Sequence, residues 1–315
     1  MNRSLTLDIA KGIGIILVVV GHCIKSYTIP GVFIYAFHMP LFFLISGVCF
    51  NGEKYQEFKP FLYKRMRQLI VPAVVFTAVI VLMSLFLLND DGPLYDLLWK
   101  GFPTPIWFLG VLFIVEIAYW FLYRLSNMKI AICLYIVLGI LIGAWTSSKG
   151  LCSPYSIFSS FIALAFYALG NLLRTIVLKL SMQKIRNCYL IVLSILSLLI
   201  ESILCVKTNH NIGMASNEFI FSDLFLALLG ILAIFSISKF IEWGGIRRTF
   251  IWLGQNTLVI MCSHMLMISL SAEIIRPIIP NHLLYKTVES LFVWSMVVLL
   301  SIFVNNKCKW LIGKN

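Results

Sequence analysis

The first apolar stretch of the chain, LDIAKGIGIILVVVGHC, holds three side chains that a membrane-length run does not need for packing: Asp8, Lys11 and His22. Lys11 and His22 are eleven residues apart. In an α-helix that spacing gives a net rotation of about 20° and a rise of ~16 Å, so the two share one stripe at different depths. Asp8, a turn before Lys11, falls near the same stripe and can pair with it. Two readings follow. In one, Lys11 snorkels to the inner interface and His22 bonds a carbonyl near the outer rim. In the other, the stripe is a polar track across a bilayer with a base near its far end, a task that suits imidazole. Ionisable groups inside a bilayer cost about 2.5–3.5 kcal/mol each on insertion scales, which favours the functional reading. Gly12, Gly14 and Gly21 would let a neighbouring helix or a ligand approach the backbone closely.

Other segments carry candidates of the same kind. In FHMPLFFLISG, His38 lies about a turn into the next apolar run, and the short connection puts it at a depth similar to His22. LGQNTLVIMCSHML contributes Asn256 and His264, the latter also expected in an outer half, so three histidines can converge there. No close HxxxH or HxH spacing occurs, and no metal is expected. YKRMRQLIVP gathers Lys64, Arg65 and Arg67 at the entry of the third apolar run. That cluster reads either as plain inner-side charge or as an anion clamp, in which Arg forks and a Lys point charge hold phosphate. PIWFLGVLFIVE places Trp107 at the outer rim, where an aromatic belt is the ordinary explanation, and Glu116 near mid-membrane. Glu201 and Asp223 are further acids in apolar runs, with nothing beyond helix pairing in their local pattern.

The elements that must position these residues are membrane helices. The chain has 315 residues, 60% hydrophobic and only 12% charged, with a mean hydropathy of +0.95. Such composition cannot hide its apolar surface from water. Spanning a bilayer takes about 20 apolar residues, with every backbone polar group bonded internally. Ten runs meet that pattern, at 6–26, 32–50, 66–88, 105–123, 129–146, 155–173, 188–206, 218–238, 249–272 and 283–304. The expected fold is an all-α integral membrane bundle of about ten transmembrane helices, forming a single domain over 1–315. With the N-terminus inside, eighteen of the 25 Lys and Arg residues fall on inner segments, among them Arg3, Arg124, Lys129, Arg174, Lys184, Arg186, Lys239 and Lys314. Six fall on outer ones: Lys25, Lys100, Lys149, Lys207, Arg276 and Lys286. That asymmetry puts both termini in the cytoplasm. The net charge of +12 is thus topology, with contact to lipids of the inner leaflet as a by-product, and nucleic acid is not an expected partner. The opening stretch stays as a helix, because Asp8 and Lys11 interrupt it and no small-residue cleavage site follows. Cys23, Cys49, Cys133, Cys188, Cys205 and Cys262 read as packing residues. Loops are short. The longest outer connection, Asn89 to Thr104, carries Asp90, Asp91 and Asp96 and suits a small cap over an outward-facing cavity.

Taken together and in order, LDIAKGIGIILVVVGH, FHMPLFFLISG, YKRMRQLIVP, PIWFLGVLF and LGQNTLVIMCSH resemble acyltransferase family 3, integral membrane O-acyltransferases that modify bacterial cell-surface carbohydrates. The FHMP form is similar to the sugar O-acetylases of the fucose-acetylase type. The resemblance covers essentially the whole chain. It implies acetyl-CoA as acyl donor, a carbohydrate acceptor that is lipid-linked or finished polymer, and residence in the bacterial plasma membrane. It also implies Lys11 and His22 as the central motif and donor contacts from Lys64, Arg65 and Arg67; Asp8 joins the motif by its spacing from Lys11. His22 is then a general base or a transient acyl acceptor, while His38, Glu116, Trp107, His264 and Asn256 are left to orient it or bind the acceptor. Two departures stand out: the family often has Arg at the Lys11 position, and its third-helix arginines are commonly three apart, whereas Arg65 and Arg67 are two apart. The alternative function is a proton-coupled transporter or small-metabolite exporter in which Lys11, Glu116 and the histidines relay protons.

Overall fold

The computed structural model describes residues 4–24, 29–125, 129–148, 157–183, 187–208, 221–242 and 244–313. Arg3, Lys25, Lys149, Lys184, Arg186 and Lys314 lie outside the described residues, as do the side chains of Lys100, Lys129, Cys188, Glu201, Cys205 and Lys207. Among the described residues there is no strand. In chain order the helices are α1 (Leu5–Cys23), α2 (Ile29–Cys49), α3 (Phe58–Arg65), α4 (Val71–Leu87), α5 (Gly92–Lys100), α6 (Trp107–Leu125) and α7 (Lys129–Ser148). They continue with α8 (Ile157–Leu172), α9 (Arg174–Met182), α10 (Asn187–Thr208), α11 (Phe221–Ile241), α12 (Arg247–Gln255), α13 (Thr257–Ile274) and α14 (His282–Lys307).

Each of the ten predicted spans falls on helix. Among the described residues seven helices are long and apolar enough to cross a membrane, or eight if α8 and α9, bent by 56°, form one broken span. The other two predicted spans coincide with α7 and α10, whose apolar parts among the described residues are Ile132–Ile142 and Tyr189–Ile200. Two further differences bear on the site. The third span begins well before residue 66, since α3 runs into α4 through a π-helical turn, Met66–Ile70. The ninth is broken at Asn256, whose side chain turns back to donate to the Trp252 carbonyl at 2.7 Å. That local bond competes with helix continuation.

The chain divides into two compact units. The first comprises Met1–Gly52, Val115–Cys152 and Phe158–Thr257. Here α1 packs chiefly on α12, and also on α2 and α11. Glycines set the closest approaches. A Cβ on Gly12 would lie 2.2 Å from the Phe250 carbonyl oxygen, and one on Gly254 would lie 1.8 Å from that of Asp8. So α1 and α12 meet backbone to backbone, each helix supplying a glycine to the other's carbonyl. Gly47 on α2 and Gly170 on α8 repeat the arrangement against the Tyr167 and Leu44 carbonyls. At the end of α2 the backbone carbonyls find side-chain donors. Asn171 donates to Gly47 and Phe50 at 3.1 Å each, Arg124 to Gly52 at 3.0 Å, and Arg174 to Val48. A helix C-terminus leaves four carbonyls without intrahelical partners and carries a negative dipole end. Arg174, one of the basic residues assigned to the inner side, is therefore a helix cap as well as a topology signal. Cys23 and Cys262 are buried as expected of packing residues, whereas Cys49 and Cys133 are exposed, where apolar side chains are ordinary on a lipid-facing surface.

The second unit comprises Glu53–Ile114, Ser153–Ile157 and Leu258–Asn315. In it α13 and α14 are joined through the buried Glu289 carboxylate, which accepts from Tyr285 at 2.7 Å, Lys286 at 2.6 Å and Ser271 at 3.3 Å. A short 3₁₀ turn, Lys309–Ile312, packs against the π-helical turn and α4. The Asn89–Thr104 connection folds in part as α5 and borders a cavity of about 450 Å³, whose lining includes Ser84, Asp90, Tyr95, Asp96, Met265 and Ser269.

Candidate functional site

The site in the first unit grows from α1. Ser4 starts the helix by accepting the Leu7 amide hydrogen, so Asp8 falls in the first turn, where a carboxylate complements the helix dipole. Asp8 is buried and its carboxylate lies 3.8 Å from the half-buried Lys11 ammonium. The pairing expected from their spacing is present. Beside this end of α1, Thr6 donates to Glu242 at 2.7 Å, and the buried Lys239 reaches both Glu242 at 2.9 Å and the Ser181 carbonyl at 2.5 Å. Because α1 is unbroken from Leu5 to Cys23, the stripe that joins Lys11 to His22 is continuous, with a rise of ~16 Å between them.

At the other end of α1 the contacts change character. His22 Nδ1 is 3.1 Å from the Tyr35 hydroxyl, and the two rings meet edge to face at 5.7 Å. Tyr35 in turn packs edge to face on His38 at 5.0 Å. Gly21 makes room for this: a Cβ there would lie 3.3 Å from the Tyr35 ring and 3.1 Å from Ile34. His38 Nδ1 bonds the Ile34 carbonyl at 2.8 Å, and a carbonyl only accepts, so that nitrogen carries the hydrogen and Nε2 keeps its lone pair. Pro40, two residues on, lacks the N–H that would have bonded the Ala36 carbonyl. Tyr35 was not among the candidates read from sequence. Its signal was its position three residues before His38, one helical turn away on the same face.

The remaining candidates divide between the units. Glu116 is buried near the middle of α6 in the first unit, and Trp107, nine residues earlier on the same helix, belongs to the second. Nine residues is two and a half turns, so they point to opposite sides of α6. Trp107 is 9% exposed, unlike an aromatic-belt residue open to the interface. Asn256 closes α12 in the first unit and is buried. His264 is fully buried on α13 in the second unit, with its Nδ1 on the Ile260 carbonyl at 3.0 Å and hence the same tautomer as His38. Of the three histidines, the structure brings His22 and His38 together through Tyr35.

The basic cluster of the second unit sits where α3 gives way to the π-helical turn. The Val71 amide bonds the Met66 carbonyl five residues back, which marks the wide turn, and such turns often occur at functional sites. Lys64 donates to the Tyr55 hydroxyl at 3.1 Å and also lies over the Tyr55 ring at 5.1 Å. Arg65 stacks on the rings of Tyr55 and Phe61 at 5.2 and 5.4 Å and donates to Gln68 at 3.1 Å. Arg67 lies 6.0 Å from the centre of the exposed Tyr63 ring. Cation and ring interleave here, which orders the long side chains before any anion arrives. Lys64 and Arg67 are three residues apart, so the cluster contains a three-residue pair with Lys in the leading place. Among the described residues no group of three or more His, Cys, Asp or Glu side chains is disposed to hold a metal ion.

Compared with known proteins, the chain matches the family described as "Acyltransferase domain" over residues 5–305. It is similar to the Nodulation protein NolL of Mesorhizobium japonicum, 33% identical over 130 residues, which is 36% of this chain and 34% of that protein. It is also similar to the Nodulation protein NolL of Sinorhizobium fredii, 38% identical over 90 residues, 25% of each chain. The matches thus span about a third and a quarter of those curated relatives' length. No solved structure matches.

Proposed function

Since the chain belongs to acyltransferase family 3 and is a multi-pass helical membrane protein, we propose that it is an O-acetyltransferase of the bacterial plasma membrane. It moves an acetyl group from cytoplasmic acetyl-CoA to a hydroxyl of a cell-surface carbohydrate or its lipid-linked precursor. The observation that supports this most is α1 itself, which has the Asp8–Lys11 pair near one end and the His22–Tyr35 pair near the other, on one stripe.

In this reading the phosphates of acetyl-CoA meet Lys64, Arg65 and Arg67, whose side chains are already ordered by Tyr55, Phe61 and Tyr63. In the first unit the transfer takes place at the His22 end of the Lys11 stripe. There the acceptor O–H bond breaks, its proton passing to His22 Nε2, while the hydroxyl oxygen bonds to the thioester carbonyl carbon. The carbon–sulfur bond breaks next, and the departing thiolate takes the proton back from Nε2. The products are the acetyl ester and free CoA, and the histidine returns to its starting state. Lys11 supplies positive charge along the donor path, and Asp8 holds it in place. His38, Glu116, Trp107, Asn256 and His264 are the candidates for holding the acceptor sugar.

The test uses the full chain purified in detergent. Given acetyl-CoA and an acceptor glycan, the wild-type protein releases CoA and yields an acetylated glycan by mass spectrometry. His22→Gln, which retains a polar amide, binds acetyl-CoA and releases CoA at least about a hundredfold more slowly. Full turnover by that variant overturns the mechanism.

A further inference from the structure

We infer that Tyr35 is the positioning residue that holds His22 in its working tautomer, as an uncharged counterpart of the carboxylate in a nucleophile–base–orienter set. The inference rests on the reading of His22 as the base. For its Nε2 to take a proton, Nδ1 must carry the hydrogen and have somewhere to donate it. The Tyr35 hydroxyl, 3.1 Å from Nδ1, is that acceptor.

Three features of the packing support the assignment. First, the ring is fixed: it stands edge to face on His22 at 5.7 Å and on His38 at 5.0 Å, so its hydroxyl is aimed by two aromatic contacts. Second, Gly21, adjacent to His22, has no side chain where the Tyr35 ring approaches to 3.3 Å of a would-be Cβ. Third, the partly buried His22 reaches across to a neighbouring helix, a contact that the Nδ1 bonds of His38 and His264 do not make. His38 and His264 each donate Nδ1–H to the carbonyl four residues back on their own helix. His22 has a partner on another helix, so its orientation depends in part on the packing of α1 against α2. A phenol suits this depth, since an ionised carboxylate in an apolar helix end is expensive to bury.

The Nδ1–H to Oη bond persists through the cycle: it is present when His22 is neutral with Nε2 free, and it remains when Nε2 carries the acceptor's proton. No proton leaves Tyr35, so the phenol orients the base and takes no part in the transfer.

Tyr35→Phe deletes the hydroxyl and keeps the ring. The expected result is a fall in kcat of about tenfold to a hundredfold, part of the 10²–10⁴ that a general base supplies. The KM values for acetyl-CoA and acceptor should stay within about twofold, and so should acetyl-CoA binding measured directly. With ¹⁵N-histidine in lipid nanodiscs, the His22 resonances, identified by their absence in His22→Gln, should move from the Nδ1–H pattern to a mixture of tautomers. A wild-type kcat in Tyr35→Phe, a rise in KM with kcat unchanged, or an unaltered His22 pattern each overturns the inference. If Tyr35→Phe loses thermal stability or donor binding along with kcat, the residue is structural and the inference fails on that ground too. The two proposals separate cleanly: an active His22→Gln defeats the acyl-transfer reading of His22, whereas an inactive His22→Gln beside a fully active Tyr35→Phe defeats only this one.

Discussion

The two ends of α1 are held by different physics. Near Asp8 the helix is fixed by charge and by backbone contact: the Asp8–Lys11 pair, the Thr6–Glu242–Lys239 chain, and the reciprocal seating of Gly12 and Gly254 on the carbonyls of the facing helix. Near His22 it is held by aromatic edges and one hydrogen bond to a neutral partner. Backbone-to-backbone contact tolerates no added atom, whereas a ring contact can shift by a few tenths of an ångström. The rigid end anchors the stripe and the adjustable end presents the base. Substitutions at the glycine contacts near Asp8 should therefore register mainly as stability, and those at the His22 end mainly as turnover.

The largest expected effect is at the His22 end. His22→Gln should lower kcat by 10² to 10⁴, the range of a lost general base, with thermal unfolding in detergent unchanged. A fall in melting temperature to match would erase the contrast. At the opposite end, Gly254→Ala places a Cβ 1.8 Å from the Asp8 carbonyl oxygen and should destabilise the protein by about 1–3 kcal/mol, the usual cost of overpacking. Turnover per folded molecule should stay near wild type. Next, Arg67→Ala should raise the KM for acetyl-CoA about tenfold, or about 1.4 kcal/mol, with a much smaller effect on kcat. The same substitution at Arg65 also removes the stacking on Tyr55 and Phe61, so comparing the two separates anion contact from side-chain ordering. The smallest effect should come from Gly21→Ala. Its Cβ meets Ile34 and Tyr35 at 3.1 and 3.3 Å, tight enough to tilt the ring, and kcat should drop by a few-fold without loss of stability.

What could be read from the sequence was whatever lies within one helix. The Lys11–His22 stripe and the Asp8–Lys11 pair follow from 3.6-residue periodicity, and both survive in an α1 that runs unbroken. The basic cluster was visible as composition. Its partner Tyr55 was not, because eight residues and a helix start intervene before Lys64. The roles of Gly12 and Gly254 needed the pairing of helices more than 200 residues apart in sequence. Gly12 was marked as a place of close approach, but nothing local says that the visitor is the Phe250 carbonyl. Arg124 and Arg174 were read as topology, and their second task at the end of α2 depends on which carbonyls come within reach. The break at Asn256 turned on a side-chain bond to the Trp252 carbonyl, which a hydropathy window does not register.

The wide turn at Met66–Ile70 has one more residue than an α-helical turn would hold. It therefore works as a phase shifter between α3 and α4. Tightening it to ordinary α winding with that residue retained would rotate Lys64 and Arg65 by about 100° around the helix axis relative to the span that follows. The apolar face of α4 would keep its seat. A switch between wide and ordinary winding at this turn would thus re-aim the basic cluster while leaving the membrane helix as it was.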